Sequence, residues 1–440
     1  MRTRKLESDG PEDPTGVSPL RRRLGLILMA VVVTALAAAL ALRLRGGREP
    51  ARPSGTRPVH WRVIWTKQPA TTATISWDTA EPGASHRLYY DTQPHKGRIK
   101  EYAAMAACGR NGPYAGAKDD EGRPFLHYHH AELTGLTPGT TYYLVMASDG
   151  EASGELCFRT APATDEPVTL LYGADSRSDD DPSAPLKPRR DVIEMIAKLV
   201  AADPNILALA HGGDYVDDGT DPDQWSTWLG DWDRIARKTG RLLPIIPARG
   251  NHEGYGELYD QVFNAPGGEG RNHFTTALGP NVELVTLNTE IVRDGPQVEF
   301  LRAELASMAR RRTRWRVAQY HQPAWAAVKR TTRLLDPFVR LFEEGGIDLA
   351  CEADGHCIKR TVPIRNGALA PDGVVYIGEG GLGAVQRTPD ASRWYLAAPG
   401  YTGTGHHVTR LTFRRDRLDY EVIRLDGAPG DAATLHPRNR

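Results

Sequence analysis

Cysteine is scarce in this chain: four residues among 440, Cys108, Cys157, Cys351 and Cys357, with no Cys-x-x-Cys spacing. That excludes a cysteine-ligated zinc module and leaves buried thiols or up to two disulfides, whose pairing the sequence does not assign. An excess of one charge is also lacking, because Lys plus Arg and Asp plus Glu both number 55. A balanced chain has no bias toward polyanions, so nucleic acid is not an expected partner. The Gly-rich stretch Gly378 to Gly383 (GEGGLG) has no P-loop lysine, which argues against a nucleotide cradle and for a tight turn.

One long apolar run stands out. Arg21-Arg22-Arg23 precede the uncharged stretch Leu24 to Leu42, which at ~1.5 Å per residue covers a ~30 Å hydrocarbon core. A run apolar on every side and charged at both ends is not a core helix. It reads as a transmembrane anchor (24–42) or as a cleaved signal peptide with a small-residue site at Ala37 to Ala39. Either way the rest of the chain is expected to be exported, membrane-anchored in the first case and secreted in the second. Residues 1–23 read as a cytoplasmic or disordered tail, and 43–58, with Gly, Pro and Arg, as a linker.

Residues 59–161 carry short strand patterns separated by turn residues, with no helical stretch. Ala73 to Trp77, His86 to Tyr90 and Thr141 to Met146 are examples, and together they predict an all-β sandwich. His127, His129 and His130 lie in one such strand, whose alternation puts the first two on one face without a carboxylate cluster, so they read as structural. The stretch 102–123 is a long insertion in the sandwich that either overhangs the site or loops out. From residue 167 to 425 apolar strands alternate with helical spacing, as in Val192 to Val200 and Gln297 to Ala309. This predicts an α/β domain of layered sheets flanked by helices. A hairpin over 407–413 and 418–423 closes one sheet, and 426–440 reads as a loose tail.

The α/β region places hard ligands just past apolar strands. VTLLYGADSR ends at Asp175, ILALAHGGDYVDD at Asp214 and Asp217, PIIPARGNHE at Asn251 and His252, and later strands lead to His321, Asp354 and His356. Parallel sheets deliver chemistry at such strand ends. Carboxylate, carboxamide and imidazole groups in this order suit borderline divalent or trivalent metals. His211, inside its strand, reads as a core or supporting residue.

The segments GADSR, GGDYVDD, GNHE, AQYHQP and ADGHCIKR resemble the calcineurin-like metallophosphoesterase superfamily. The sandwich, with LTGLTPGTTYYLVMASDG, is similar to a fibronectin type III fold and narrows the resemblance to the purple acid phosphatase branch. The resemblance implies two metal ions, iron, manganese or zinc, with Asp175 and His356 on the first, Asp214 bridging, and Asn251, His321 and Asp354 on the second. It implies hydrolysis of a phosphate monoester by a metal-bound hydroxide, with His252 stabilising the phosphate or the leaving group. Arg177 is a candidate phosphate contact and Asp217 a candidate additional ligand or supporting group. The sequence departs from the family pattern in three places. Asp354 stands where the family has the first His of Gly-His-x-His, Asp217 stands where the purple branch has its tyrosine, and Asp175-Ser176-Arg177 lacks the histidine of other branches. No tyrosinate colour is therefore expected. The alternatives are a phosphodiesterase of the same family and a metal-poor relic that acts as a binding protein.

Overall fold

The computed structural model describes residues 53–116, 126–177, 187–266, 271–331 and 333–438. The apolar run 24–42 and most of the linker lie outside the described residues. Among the described residues, no helix is long and apolar enough to cross a membrane.

The first part is built of strands β1 (Val59–Ile64), β2 (Ala73–Thr79), β3 (His86–Asp91), β4 (Ala104–Ala107), β5 (Arg110–Pro113), β6 (His127–Leu133), β7 (Thr141–Ser148), β8 (Glu151–Ala152) and β9 (Leu156–Arg159). They form two facing layers, β1-β2-β6-β5 and β4-β3-β7-β8 with β9 on β7, the all-β sandwich expected. The second part follows as β10 (Val168–Gly173), α1 (Lys187–Ala202), β11 (Ile206–His211), α2 (Pro222–Thr239), β12 (Ile245–Pro247), α3 (Glu257–Phe263), β13 (Phe274–Ala277) and β14 (Val282–Thr286). It continues through α4 (Pro296–Arg311), β15 (Trp315–Gln319), α5 (Asp336–Gly345), β16 (Leu349–Glu352), β17 (Ile358–Arg360), β18 (Ile364–Arg365), β19 (Ala368–Leu369) and β20 (Val375–Gly378). Strands β21 (Tyr401–Gly403), β22 (His407–Phe413), β23 (Leu418–Arg424) and β24 (Ala432–Leu435) complete it.

Two sheets make the α/β layers, one of ten strands (β24-β23-β22-β10-β11-β12-β1-β2-β6-β5) and one of seven (β13-β14-β15-β16-β20-β17-β21). Strict alternation sorts their side chains. Leu170, Tyr172, Ala208 and Ala210 face Leu284, Val317, Leu349 and Ile377 in one shared core. The intervening Leu171 and Leu209 pack outward with Val192, Ile196 and Trp228 of α1 and α2. On the other side Val285, Ala318, Ala350 and Tyr376 meet Leu301 and Leu305 of α4 and Phe338 and Phe342 of α5. Helix α2, which periodicity did not reveal, starts on an Asp221 cap accepting from Asp223 N and ends on Gly240 at φ 69°, the usual pair of start and stop signals.

The two expected domains are not separate sheets. β1 runs parallel to β12, with Ile64 opposite Ile245, so half the sandwich extends the α/β sheet. Side chains fasten the seam: Asp233 of α2 accepts from His60 N and Trp61 N, and Arg62 Nε donates to the Val262 carbonyl of α3. The insertion, as far as it is described, lies against the second part, with Ala115 N donating to Gln261 Oε1. The loose tail is a correction. Residues 432–435 pair antiparallel with β23 and Arg438 N donates to Asp348 Oδ1, because β23 would otherwise present an open edge. All four cysteines are unpaired thiols.

Candidate metal centre

The expected residues converge beyond the C-terminal ends of β10, β11, β12, β15 and β16, where parallel ladders β10-β11-β12 and β14-β15-β16-β20 end side by side. Carboxylate oxygens of Asp175 and Asp214 and a ring nitrogen of His321 lie within 4.8 Å of one another, all buried. Two carboxylates at that spacing repel by about 3–4 kcal/mol at an effective dielectric of ~20, so the arrangement favours a cation between them.

The three imidazoles are set alike. His321 Nδ1 lies 2.9 Å from the Gly212 carbonyl, His356 Nδ1 3.0 Å from that of Val385, and His252 Nδ1 2.6 Å from that of Asp217. A carbonyl only accepts, so each Nδ1 carries the proton and each Nε2 is turned inward. His321 Nε2 faces Asp214 Oδ1 at 3.2 Å and Asn251 Oδ1 at 3.1 Å, and His356 Nε2 faces Asp175 Oδ1 at 3.2 Å. That Asp175 oxygen is buried and meets no hydrogen-bond donor of proper geometry among the described residues. Lone pairs of nitrogen and oxygen aimed at one another need a proton or a metal ion between them. The donor set fits metal ions: Asp175 and His356 with Asp214 on one side, and Asp214, Asn251 and His321 on the other.

Backbone strain is concentrated here. Asp175, Asp214, Asp354 and His356 all have positive φ, at 56°, 57°, 69° and 55°, at a cost of roughly 1–3 kcal/mol for each non-glycine residue. Two glycines give the room. A Cβ on Gly250 would sit 2.2 Å from Asp214 Oδ1, and one on Gly380 1.9 Å from Asp175 Oδ2. Gly380 belongs to the GEGGLG stretch, which is a tight turn as expected but wraps Asp175, with Ala384 N donating to the Asp175 carbonyl. Its role at the site was not legible, because only the fold brings β20 beside β16.

Glu253 was also missed as a supporting group. Fully buried, it accepts from Gly250 N, Asp214 N and Tyr215 N at 2.7–2.9 Å and so locks two ligand-bearing turns together. Burial, then the neighbouring Asp214 charge, push its carboxyl up to about 7. Burial alone would raise Asp214, but His321 and then His252 pull it well below the usual carboxylate range. Burial likewise would lower His321, yet Asp214 holds it well above the usual imidazole value. A proton and a metal ion therefore compete for the same Nε2.

The remaining candidates fall in a second ring. Asp217 is engaged by Arg177 through its Oδ1, which is also 3.4 Å from His252 Nδ1. It orients Arg177 and His252 and does not extend the ligand cluster. Arg177 is buried in that pair and lies 3.7 Å from Asp214 Oδ2. Asp354 reaches the cluster only at its edge, 3.8 Å from His321 Nε2, while Lys329 Nζ lies 2.5 Å from its Oδ1. His252 is 27% exposed, with Nε2 3.8 Å from Asp214 Oδ2, and faces the opening. His211 is buried beneath, its Nε2 2.9 Å from Ser176 Oγ. Tyr215 stacks on His211 in the outer core, its hydroxyl directed at the His211 carbonyl, and so does not reach the ligands.

A layered αββα fold with an acidic, histidine-rich cluster at its strand ends defines a metallophosphoesterase. Residues 58–160 match the family described as Purple acid Phosphatase, N-terminal domain, and residues 187–357 the family described as Calcineurin-like phosphoesterase. With a calcineurin-like phosphoesterase domain behind a purple acid phosphatase N-terminal domain, the chain is purple acid phosphatase-like and a phosphoester hydrolase. It is 27% identical over 417 residues to the uncharacterized protein Rv2577 of Mycobacterium tuberculosis, covering 84% of this chain and 75% of that one. To Purple acid phosphatase 15 of Arabidopsis thaliana it is 25% identical over 294 residues, 58% of this chain and 53% of that protein. In fold it is similar to a purple acid phosphatase from yellow lupin (Lupinus luteus) seeds, at a TM-score of 0.73 and 18% identity over 87% of this chain and 75% of that chain.

Proposed function

We propose that this chain is an exported phosphatase that hydrolyses phosphate monoesters with two metal ions. The observation that carries the reading is the matched setting of His321 and His356, each with Nδ1 on a carbonyl and Nε2 facing a carboxylate oxygen at 3.2 Å. Asp175, Asp214 and His356 would hold one ion, and Asp214, Asn251, His321 and Asp354 the other. When bound, the ions would polarise the phosphoryl oxygens and bring a water toward neutral pKa.

The chain's own residues supply the rest. His252 stands at the opening with Nδ1–H anchored on the Asp217 carbonyl, which leaves Nε2 to meet the phosphate or, when the ring carries a second proton, to pass that proton to the departing alkoxide. Glu253 fixes the Asp214 and Gly250 backbones through their amides. Arg177 neutralises Asp217 beside Asp214 and is a guanidinium within reach of a phosphate oxygen bound there. The phosphatase names of relatives support the monoester reading. Export rests on the apolar run 24–42.

Metal analysis of the purified full chain, with p-nitrophenyl phosphate turnover before and after chelation, tests this. About two ions per chain and turnover lost to chelator and regained on metal add-back are expected. At most one ion and no turnover with any added metal would replace this reading with that of a binding protein, which the Lys329–Asp354 pair favours. Faster turnover of bis(p-nitrophenyl) phosphate would make the chain a diesterase.

A further inference from the structure

Lys329 is not among the residues the sequence pattern singles out, yet its ammonium lies 2.5 Å from Asp354 Oδ1. The lysine side chain is 47% exposed and the carboxylate side chain 8%, so the amine enters the centre from the opening. Its loop is held from below. Ala324 N donates to Glu352 Oε1 and Ala327 N to Glu379 Oε1. The Trp325, Ala326 and Val328 carbonyls accept from Lys359, Tyr395 and Arg393. Glu352 and Glu379 are in turn both bound by the fully buried Lys359. A fixed backbone thus delivers one long, rotatable cation to one carboxylate.

That carboxylate is one of the three places at which this sequence departs from the pattern of the family it resembles. Exchange of a neutral imidazole for Asp354 adds a negative charge to a cluster that already holds Asp175 and Asp214, and Lys329 balances it. We propose that Lys329 is a resident counter-cation of Asp354, which a metal ion bound by Asp214, Asn251, His321 and Asp354 must displace. The pair thereby sets how tightly the second ion is held. An ammonium and a divalent ion on one carboxylate repel each other, and the half-exposed lysine can swing into water when the ion enters. This inference rests on the two-ion reading above.

Calorimetric titration of Mn²⁺ into the metal-stripped full chain tests it, using wild type, Lys329→Met, Asp354→Asn and the double variant. Loss of the competing ammonium in Lys329→Met is expected to tighten the second binding step about fivefold, the scale of a partly exposed ion pair. In the Asp354→Asn background the same lysine change is expected to leave that step unaltered, since a double-mutant cycle isolates the pair. Lys329→Arg, which retains the charge, is expected to bind Mn²⁺ as wild type does, and Lys329→Gln, which lacks it, replaces the Met variant should that one fail to fold. Arg333→Ala removes a cation whose side chain is 97% exposed and should change neither step. Unchanged or weaker second-step binding in Lys329→Met overturns the proposal, as does equal tightening in the Asp354→Asn background. Two binding steps in wild type with an indifferent Lys329→Met sink this inference alone, whereas a wild type that binds no Mn²⁺, and none of the other metals, sinks the proposed function with it.

Discussion

Among the described residues, two regions gather histidines beside aspartate, and one of them has the form of a metal centre. In the sandwich, His86 and His129 stack with centroids 3.8 Å apart, and His129 Nε2 lies 2.8 Å from Thr79 Oγ1. His130 bonds Ser76 Oγ and the Gln261 carbonyl. The nearby carboxylate, Asp78, is already engaged by Arg62, His60 and Tyr114. Burial pushes His129 and His130 down to about 3, so they are neutral, and their partners are hydroxyls and a carbonyl. At the strand ends the same residue types sit on strained turns, with Nε2 atoms facing carboxylates and an Asp175 oxygen that meets no donor among the described residues. Residue type therefore does not make a ligand here. Position does: a mid-strand histidine finds partners along the ladder, while a strand-end histidine faces whatever the neighbouring strand ends present.

Breaking the strand-end cluster should have the largest effect. His321→Ala or Asn251→Ala is expected to remove the second ion and lower turnover by roughly 10³-fold or more, the scale of losing a metal's charge stabilisation. Metal stoichiometry alongside turnover checks this, and two retained ions would reassign the ligands. His252→Ala should keep both ions and lose about 10²–10³-fold in turnover, as for a removed general acid or electrostatic donor. Normal turnover in that variant would mean His252 has no role in the chemistry.

The smallest effect sharpens the other side of the comparison. Burial raises the Asp78 carboxyl, but Arg62 and His60 hold it down at about 2 against an ordinary 3.8. A depressed carboxyl contributes stability above its unfolded value that is lost as pH falls through the folded one. The contribution is about 2–3 kcal/mol near neutrality and should disappear between pH ~4 and ~2. Denaturant unfolding of wild type and Asp78→Asn across that range should show the acid limb flattened in the variant. Metal content and turnover per folded chain should be unchanged, and any loss of metal would show that the two clusters are coupled.

Much of this was legible before the fold was known, because strand ends announce themselves. The apolar runs ending at Asp175, Asp214, Asn251 and His321 are parallel strands buried on both faces, and they point their turns to one place. Asp354 and His356 follow the same rule after β16. What the sequence hid was lateral. Nothing in GEGGLG tells that β20 lies beside β16 and brings Gly380 against Asp175. Nothing around Lys329 tells that its loop crosses the mouth to Asp354. The assignment of 426–440 to a tail failed because β24 is four residues long and half exposed, too short for alternation to register. That Arg177 engages Asp217 likewise needed coordinates.

The parallel seam between β1 and β12 has a consequence for anyone who would dissect this enzyme. β12 has three residues, and its outer backbone is met by the sandwich: Trp65 N donates to the Ile245 carbonyl. A truncated chain beginning at residue 167 would strip that partner away and leave a raw edge immediately before the turn that carries Asn251 and His252. Raw edges of apolar strands recruit other chains, so such a fragment is expected to precipitate or self-associate. The sandwich is thus not a removable accessory of the hydrolase but the flank that keeps its central strand from pairing with a stranger.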